Sequence, residues 1–220
     1  KLIPYYPILD DQIPFQGWRK PPNGKTIIFS AGSVYKMLGK NNAFFLALKK
    51  IIKERDDCVV YIAATGNDSV LRKLISEFNL TSKVHCIGNR CDFAALVRNC
   101  DIYLDTYPVS GGLTTQYAFL FNKPIISLRY FDILGWSNQE LLYGSNSKNW
   151  RDDDKGFMDR LDKAIRNKNQ KVHLDLSSSF VSNPAIFTKH IKDLLSRENQ
   201  LRHFSPKVST SINTQLIRNY

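Results

Sequence analysis

The stretch DIYLDTYPVSGGLTTQYAFLFNKPIISL (101–128) gives the clearest indication of the fold. It opens with a short apolar strand over 101–106, continues through a loop of small residues, and enters a helix over 113–121. It ends in a second apolar strand over 123–128. Two strands joined by a crossover helix form the unit from which parallel sheets are built. We therefore expect both strands to run parallel in one sheet.

The same alternation extends toward the N-terminus. The predicted strands there are 26–31, 58–64 and 83–88, and the predicted helices are 42–55, 68–79 and 92–98. Asp68 and Asp92 stand where helix N-caps are expected. Strands that are apolar throughout are typical of a sheet covered on both faces. The sequence thus predicts an α/β fold, a Rossmann-like parallel sheet with helices on both faces.

The flanking segments have a different character. Residues 1–24 hold five of the nine prolines, which predicts a proline-rich linker or N-terminal extension without regular structure. Residues 25–200 are predicted to form the folded domain, and residues 201–220 a basic, polar tail. Further helices are expected near 138–143, over 155–165 and over 184–197. Because the chain begins at Lys1 rather than Met, we expect a piece of a longer protein, with a processed terminus as the alternative.

Composition narrows the function classes. The 220 residues carry 31 Lys and Arg against 20 Asp and Glu, a net charge of +11 that is spread along the chain. A diffuse positive field favours anionic partners but is unlike a basic arm that grips DNA. No apolar run approaches the roughly 20 residues of a membrane-spanning helix. The four cysteines form no C-x-x-C pair, which favours reduced thiols in a cytoplasmic protein over a zinc site.

Ligands of open parallel sheets bind beyond the carboxyl ends of the strands, so the loops there are the candidates. After the first strand, Gly32 and Ser33 let a ligand approach the backbone, and Lys36 can reach a phosphate. A glycine and a lysine in such a loop also occur by chance. Asp101 and Asp105 lie about 13 Å apart along one strand, too far to share a proton.

The loop after the fourth strand is more informative. Gly111 and Gly112 lead directly into the helix that begins at Leu113, where free N–H groups and the helix dipole favour an anion. The hydroxyls of Thr114 and Thr115 are expected to donate further hydrogen bonds to it. The alternative is a plain glycine-rich turn with a threonine cap. The loop lacks the G-K-[ST] of a Walker A motif and the G-x-G-x-x-G of a dinucleotide site.

The loop after the third strand offers two further candidates. Phe93 or Arg90 could stack on a nucleotide base. An equally good interpretation places Phe93 in the core and Arg90 in solvent. No metal-ligand set and no catalytic Ser-His-Asp or Cys-His spacing stands out.

Three stretches resemble the donor-binding, C-terminal half of GT-B glycosyltransferases, and most closely the O-GlcNAc transferase and SPINDLY-like family. They are G-S-V-Y-K (32–36), D-I-Y-L-D-T-Y-P with S-G-G-L-T-T and K-P (101–124), and N-P-A-I-F-T-K (183–189). The resemblance covers about residues 25–197. It implies one half of a GT-B fold that binds a nucleotide-diphosphate sugar, with UDP-sugars favoured, for transfer to a protein or glycan acceptor.

The resemblance also implies roles for individual residues. Lys36 would bind the diphosphate and act in catalysis by stabilising the leaving phosphates. The substrate-binding residues would be Gly32, Ser33, Arg90, Phe93, Gly111, Gly112, Leu113, Thr114 and Thr115. Where many relatives carry an acidic residue that binds ribose, this chain has Tyr117. No metal and no cofactor is expected.

The resemblance further implies an N-terminal acceptor domain in the same polypeptide, without which this chain would be inactive alone. We expect a cytoplasmic protein, with peripheral association with the inner membrane face and no nucleic-acid partner. Two alternatives remain open. One is a nucleotide-sugar epimerase, and the other is a basic binding module for nucleic acid or an anionic membrane surface.

Overall fold

The computed structural model describes residues 13–19, 24–128 and 154–168, together with five separate positions between 185 and 193. Helices and strands alternate in these residues. Their order is β1 (Thr26–Ser33), α1 (Ala43–Glu54), β2 (Cys58–Thr65), α2 (Ser69–Glu77), β3 (Val84–Gly88), α3 (Phe93–Asn99), β4 (Ile102–Leu104), α4 (Leu113–Leu120), β5 (Ile125–Ile126) and α5 (Asp154–Arg166). Two short 3-10 turns, Val34–Met37 and Lys40–Asn42, connect β1 to α1.

The five strands form one parallel sheet in the order β3-β2-β1-β4-β5. β1 lies at its centre and pairs with β2 along its whole length, from Thr26 opposite Cys58 to Ser33 opposite Thr65. Its other edge pairs with β4, where Ile28 lies opposite Ile102. The predicted fold class, a Rossmann-like parallel sheet with helices, is confirmed.

Two hydrophobic clusters cover the two faces of the sheet. Successive strand residues point to opposite faces, so Ile28 packs under one helical layer and Phe29 under the other. The first layer is made by α1, α2 and α5, and the second by α3 and α4. Because both faces are buried, the strands need apolar residues at every position, which is the pattern seen in the sequence.

The ends of the elements differ from the predictions by a few residues. Asp68 and Asp92 stand at the N-cap positions of α2 and α3, as predicted, but neither side chain makes a capping bond. Asp68 makes no capping bond, and the first turn of α2 is instead held by Asn67, whose Oδ1 accepts from Ser69 N at 3.1 Å. The Asp68 carboxylate pairs with Arg72 at 2.7 Å. Asp92 makes no capping bond either, because its carboxylate binds other groups described below.

The short segment 13–19 packs against the sheet although it contains no helix or strand. The centroid of the Trp18 ring lies 4.6 Å from the centroid of the Tyr61 ring and 5.8 Å from that of the Phe29 ring. Phe15 packs edge-on against Trp18. This part of the proline-rich segment is therefore docked on the domain rather than a free linker.

Several predictions fall outside the described residues. They are the helix near 138–143, the 201–220 tail and most of the helix over 184–197, of which only residues 185, 188, 189, 192 and 193 are described, all of them helical. The proposed domain boundaries stay predictions. Across the described ranges, no helix has the length and apolarity to cross a bilayer.

Candidate functional site

The sheet has one switch point, where the chain direction across the sheet reverses. From β1 the chain moves outward through β2 and β3, then returns to the other side of β1 for β4 and β5. The loops that follow β1 and β4 therefore leave neighbouring strands in opposite directions, which opens a crevice between them. Ligands of open α/β sheets bind in this position.

The two loops that border the crevice contact each other. Lys36 Nζ donates to the carbonyl oxygen of Ser110 at 3.0 Å, and Val109 N approaches the carbonyl oxygen of Lys36 at 3.4 Å. A Cβ on Gly39 would lie 2.7 Å from Cδ of Pro108, so only glycine allows the loops to come this close. The structure therefore brings Lys36 to the glycine-rich loop, as the sequence predicts.

Behind the loop lies a buried carboxylate, that of Asp105, at the end of β4. Its Oδ1 accepts from Gly111 N at 2.7 Å, Thr115 Oγ1 at 2.8 Å and Thr106 N at 2.9 Å. Its Oδ2 accepts from Ser110 Oγ at 2.6 Å and Ser127 Oγ at 3.3 Å. Five donors from the loop, α4 and the end of β5 thus converge on one side chain.

The Asp105 carboxyl is 2% exposed, and no ion pair joins it to a cation among the described residues. Burial raises its pKa above the usual value, against the opposing effect of the hydrogen bonds from Ser110 and Gly111. From the sequence, Asp105 was considered as half of a carboxylate pair and as part of the D-I-Y-L-D-T-Y-P stretch, without a role of its own. A lone acid at the end of an apolar strand, followed by Ser and Thr, was the available signal.

The two glycines of the loop serve different purposes. A Cβ on Gly111 would lie 2.6 Å from both Thr114 Oγ1 and the Tyr103 hydroxyl, so this position must be small to let the turn close. Gly112 has φ +66°, a conformation that side-chain-bearing residues rarely adopt. Both glycines are explained by the fold of the turn, whatever binds in front of it.

The threonine hydroxyls do not have the roles expected of them. Thr115 is fully buried and donates its hydroxyl proton to Asp105, so it has none for a ligand in this conformation. Thr114 Oγ1 lies 2.9 Å from the Ala31 carbonyl and accepts from the Tyr103 hydroxyl at 2.8 Å. One threonine fixes the turn to β4, and the other fixes it to the end of β1.

Some backbone N–H groups of the turn remain available as hydrogen-bond donors. Within the described part of the chain, the N–H groups of Gly112, Leu113 and Thr114 donate no hydrogen bond. All three residues are partly exposed, at the positions where a helix lacks internal partners for its N–H groups. With Lys36 beside the loop, these groups can bind an anion through backbone donors and one cation.

The remaining residues of the β1 loop lie at the same edge. A Cβ on Gly32 would lie 3.2 Å from Thr106 Cγ2, so Gly32 allows a close approach to the β4 loop. Ser33 Oγ accepts from Thr65 Oγ1 at 3.2 Å, a contact between the ends of β1 and β2. Both residues are partly exposed.

Arg90 is neither free in solvent nor free to stack on a base. Its Nε and Nη2 donate to the two oxygens of Asp92 at 2.7 and 2.6 Å, and the two side chains are 9% and 0% exposed. The pair also holds the docked segment, because Asp92 Oδ2 accepts from Gln16 N and Arg90 Nη2 donates to Gly17 O. The structure thus gives Arg90 a tethering role.

Phe93 is half-buried at the start of α3. Its ring packs edge-on against that of Tyr117, with 5.1 Å between centroids, and it belongs to the cluster beneath α3 and α4. Tyr117 is itself buried and also packs against Phe121. Both aromatic rings therefore have core partners, which supports the packing interpretation of Phe93.

Three of the four cysteines are buried, and Cys91 is exposed. Burial raises the pKa of the Cys58 and Cys100 thiols to about 12, so both are protonated at neutral pH. Among the described residues, no three His, Cys, Asp or Glu side chains cluster so as to hold a metal ion.

No family model matches the sequence, and no curated protein sequence matches it. Solved structures do resemble the chain. A mutant O-GlcNAc transferase of Thermobaculum terrenum has a TM-score of 0.59 at 21% identity. S. aureus TarM in complex with UDP has a TM-score of 0.52 at 16% identity. Each match covers 87% of this chain and 38% of the other.

A third structure, the pneumococcal O-GlcNAc transferase GtfA in complex with UDP and GlcNAc, has a TM-score of 0.50 at 16% identity. This match covers 83% of this chain and 38% of that one. The chain thus spans less than two fifths of the length of each of these three proteins. At such identities the likeness concerns the fold, and the described residues have the Rossmann-like α/β fold found in GT-B glycosyltransferases.

Proposed function

We propose that this chain is the donor-binding domain of a glycosyltransferase, which binds a nucleotide-diphosphate sugar in the crevice between the β1 and β4 loops. The observation that carries the proposal is the juxtaposition of Lys36 with a helix start whose N–H groups of Gly112, Leu113 and Thr114 are open. Backbone donors and a single cation are the groups that bind a diphosphate.

The same groups suit the chemistry of sugar transfer. When the bond between the anomeric carbon and the diphosphate breaks, negative charge develops on the leaving phosphate oxygens. Fixed N–H dipoles and the Lys36 ammonium would stabilise this charge, a contribution worth about 3 kcal/mol for a single donor. In this proposal Lys36 is the catalytic residue, and no metal ion is required.

UDP is the favoured nucleotide, because two of the similar structures are complexes with UDP. Gly32 and Ser33 would line the phosphate side of the crevice, where both are partly exposed. Arg90 and Phe93 would border the base only through their outer edges, since both have internal partners. The base would then rest mainly on the backbone of the β3 loop.

The rest of the enzyme would come from elsewhere in the polypeptide. The O-GlcNAc transferase of Thermobaculum terrenum is more than twice as long as this chain, which leaves room for an N-terminal domain that binds a protein or glycan acceptor. We propose a cytoplasmic enzyme, and the net charge of +11 supports peripheral contact with an anionic membrane face. The isolated chain would bind donor without turning it over.

The test is calorimetric titration of the chain with UDP, GDP, CDP, ADP and TDP. UDP is expected to bind, and Lys36→Ala is expected to weaken that binding by about 10- to 100-fold, because one charged hydrogen-bond donor is lost. Gly112→Val should also weaken binding, since valine disfavours the positive φ of this position.

Lys73→Ala is the matched control, because it removes the same charge from an exposed site on α2, where Lys73 lies 3.7 Å from Glu77 in a loose ion pair. Equal affinity of UDP for wild type and Lys36→Ala would contradict the site. Salt-sensitive binding of random oligonucleotides without any response to nucleotides would instead favour a nucleic-acid-binding module.

A further inference from the structure

The buried carboxylate of Asp105 grips the turn on both sides of its open backbone groups. Gly111 N and Thr115 Oγ1 both donate to the same oxygen, at 2.7 and 2.8 Å. The residues between these two donors are 112–114, whose N–H groups are the open ones. The carboxylate therefore fixes the two ends of the segment that would carry the diphosphate.

The same side chain also fixes where this segment lies in the sheet. Asp105 directly follows β4, Ser127 directly follows β5, and both oxygens of the carboxylate are in use. The donors Ser110, Thr115 and Ser127 are each no more than 9% exposed, so bulk water has little access to them. Without the carboxylate, Gly111 N and Thr115 Oγ1 would lose the acceptor that holds the two ends of the turn, which favours a rearrangement of the turn.

Asp105 is too deeply placed to touch a ligand itself. We propose that it is a positioning residue, which holds the helix start of α4 in the form that binds the diphosphate. This inference rests on the proposed function for its ligand, but the anchoring of the turn can be measured without one. Preorganised donors lose less free energy on binding than donors that must first be ordered.

Two substitutions separate positioning from charge. Asp105→Asn keeps an oxygen for Thr106 N, Gly111 N and Thr115, and its amide would face only the hydroxyls of Ser110 and Ser127. A hydroxyl can accept as well as donate, so this variant can rebuild the network. Asp105→Ala removes the acceptor altogether. Asparagine should therefore rescue what alanine loses.

The experiment measures amide hydrogen exchange of the ligand-free chain and UDP affinity by calorimetry, in both variants. In Asp105→Ala we expect at least about tenfold faster exchange of the Gln116 N–H, which donates to Gly112 O in the first turn of α4, and at least about tenfold weaker UDP binding. In Asp105→Asn both should stay within about threefold of wild type. Leu71→Ala, a core change in α2 on the first helical layer, controls for a general loss of stability and should leave both readouts in place.

If Asp105→Ala does not fold, Thr115→Val takes its place, because it removes one donor and keeps the shape. It should speed exchange of the Gly111 and Gln116 N–H groups, which donate to Asp105 and to Gly112 O, and weaken UDP binding severalfold. Unchanged exchange, or unchanged UDP affinity in a folded variant with faster exchange, would overturn the positioning role. If wild type binds no nucleoside diphosphate, the proposed function fails, while faster exchange in alanine but not asparagine still identifies Asp105 as the anchor of the turn.

Discussion

Two buried aspartates hold two different parts of this domain, and they do so by opposite means. Asp92 pairs with the guanidinium of Arg90, and together they tether the segment 13–19 to the β3 loop. Asp105 has only N–H and hydroxyl donors around it and holds the turn that precedes α4. A buried carboxylate can thus be stabilised by a counter-charge or by many neutral donors.

The pKa values of the two carboxyl groups are shifted in opposite directions. Burial of Asp92 acts to raise its pKa, but the hydrogen bonds and the charge of Arg90 outweigh burial and hold the pKa below its usual value. For Asp105 burial prevails and raises the pKa. The Arg90–Asp92 ion pair holds the segment 13–19, which is distant from it in sequence.

The largest expected effect comes from the same change made at both positions. Asp92→Asn should cost about 3–5 kcal/mol in the free energy of unfolding, because both oxygens of Asp92 face obligate N–H donors and Arg90 loses its counter-charge. Asp105→Asn should cost less than about 1.5 kcal/mol, since two hydroxyls can reverse their hydrogen bonds. Urea unfolding at neutral pH measures both. Equal losses in the free energy of unfolding for the two variants would contradict the proposed difference between Asp92 and Asp105.

A smaller effect is expected in the pH dependence of these differences. The pKa of Asp92 is lowered on folding, so the stability of wild type relative to Asp92→Asn is complete above about pH 4 and is lost as the pH falls through the lowered value. The pKa of Asp105 is raised, so wild type gains on Asp105→Asn below about pH 4 and loses that gain as the pH rises through the raised value.

Urea unfolding of the three proteins from about pH 2.5 to about pH 7 gives the two slopes. They should have opposite signs. If both differences grew with pH, Asp105 would behave as a carboxylate stabilised in its charged form, and the distinction between the two sites would fail.

The smallest effect is expected from Tyr103→Phe, because the Tyr103 hydroxyl contributes a single neutral hydrogen bond to the turn before α4. The Tyr103 hydroxyl bonds to Thr114 Oγ1 and lies 3.2 Å from the Ala31 carbonyl, but Thr114 keeps its own bond to that carbonyl. Loss of one neutral hydrogen bond should cost about 1 kcal/mol. Thermal or urea unfolding measures it, and the double variant with Asp105→Asn tests additivity. A loss as large as that of Asp92→Asn would mean that Tyr103, rather than Asp105, anchors the turn.

Much of the fold could be predicted from the sequence because it depends on local patterns. The apolar strand 58–64 and the amphipathic helix 42–55 need no knowledge of their partners, only of the period at which their apolar residues recur. The proximity of Lys36 to the Gly-Gly turn follows from the rule that ligand loops of a parallel sheet meet at one edge. That rule locates the loops without specifying any side-chain contact.

The contacts that the sequence missed link residues far apart in the chain. Asp92 was expected to cap α3 but binds Gln16, 76 residues away. Thr114 and Thr115 are neighbours in sequence with identical chemistry, and they point about 100° apart around the helix. One therefore meets β1 and the other meets Asp105. Which of two adjacent hydroxyls is buried depends on how α4 is rotated against the sheet.

The amino-acid sequence alone determined that this protein is a parallel α/β domain with a glycine-rich helix start near a lysine, because hydrophobic period and turn chemistry are local properties. Which polar groups hold the domain together and which remain available for a ligand depends on the packing of the whole domain. A buried polar group without a hydrogen-bond partner is energetically costly. The topology of the fold, rather than distance along the chain, determines which groups become partners. For that reason Arg90 and Thr115 became structural, while the backbone of Gly112, Leu113 and Thr114 was left available.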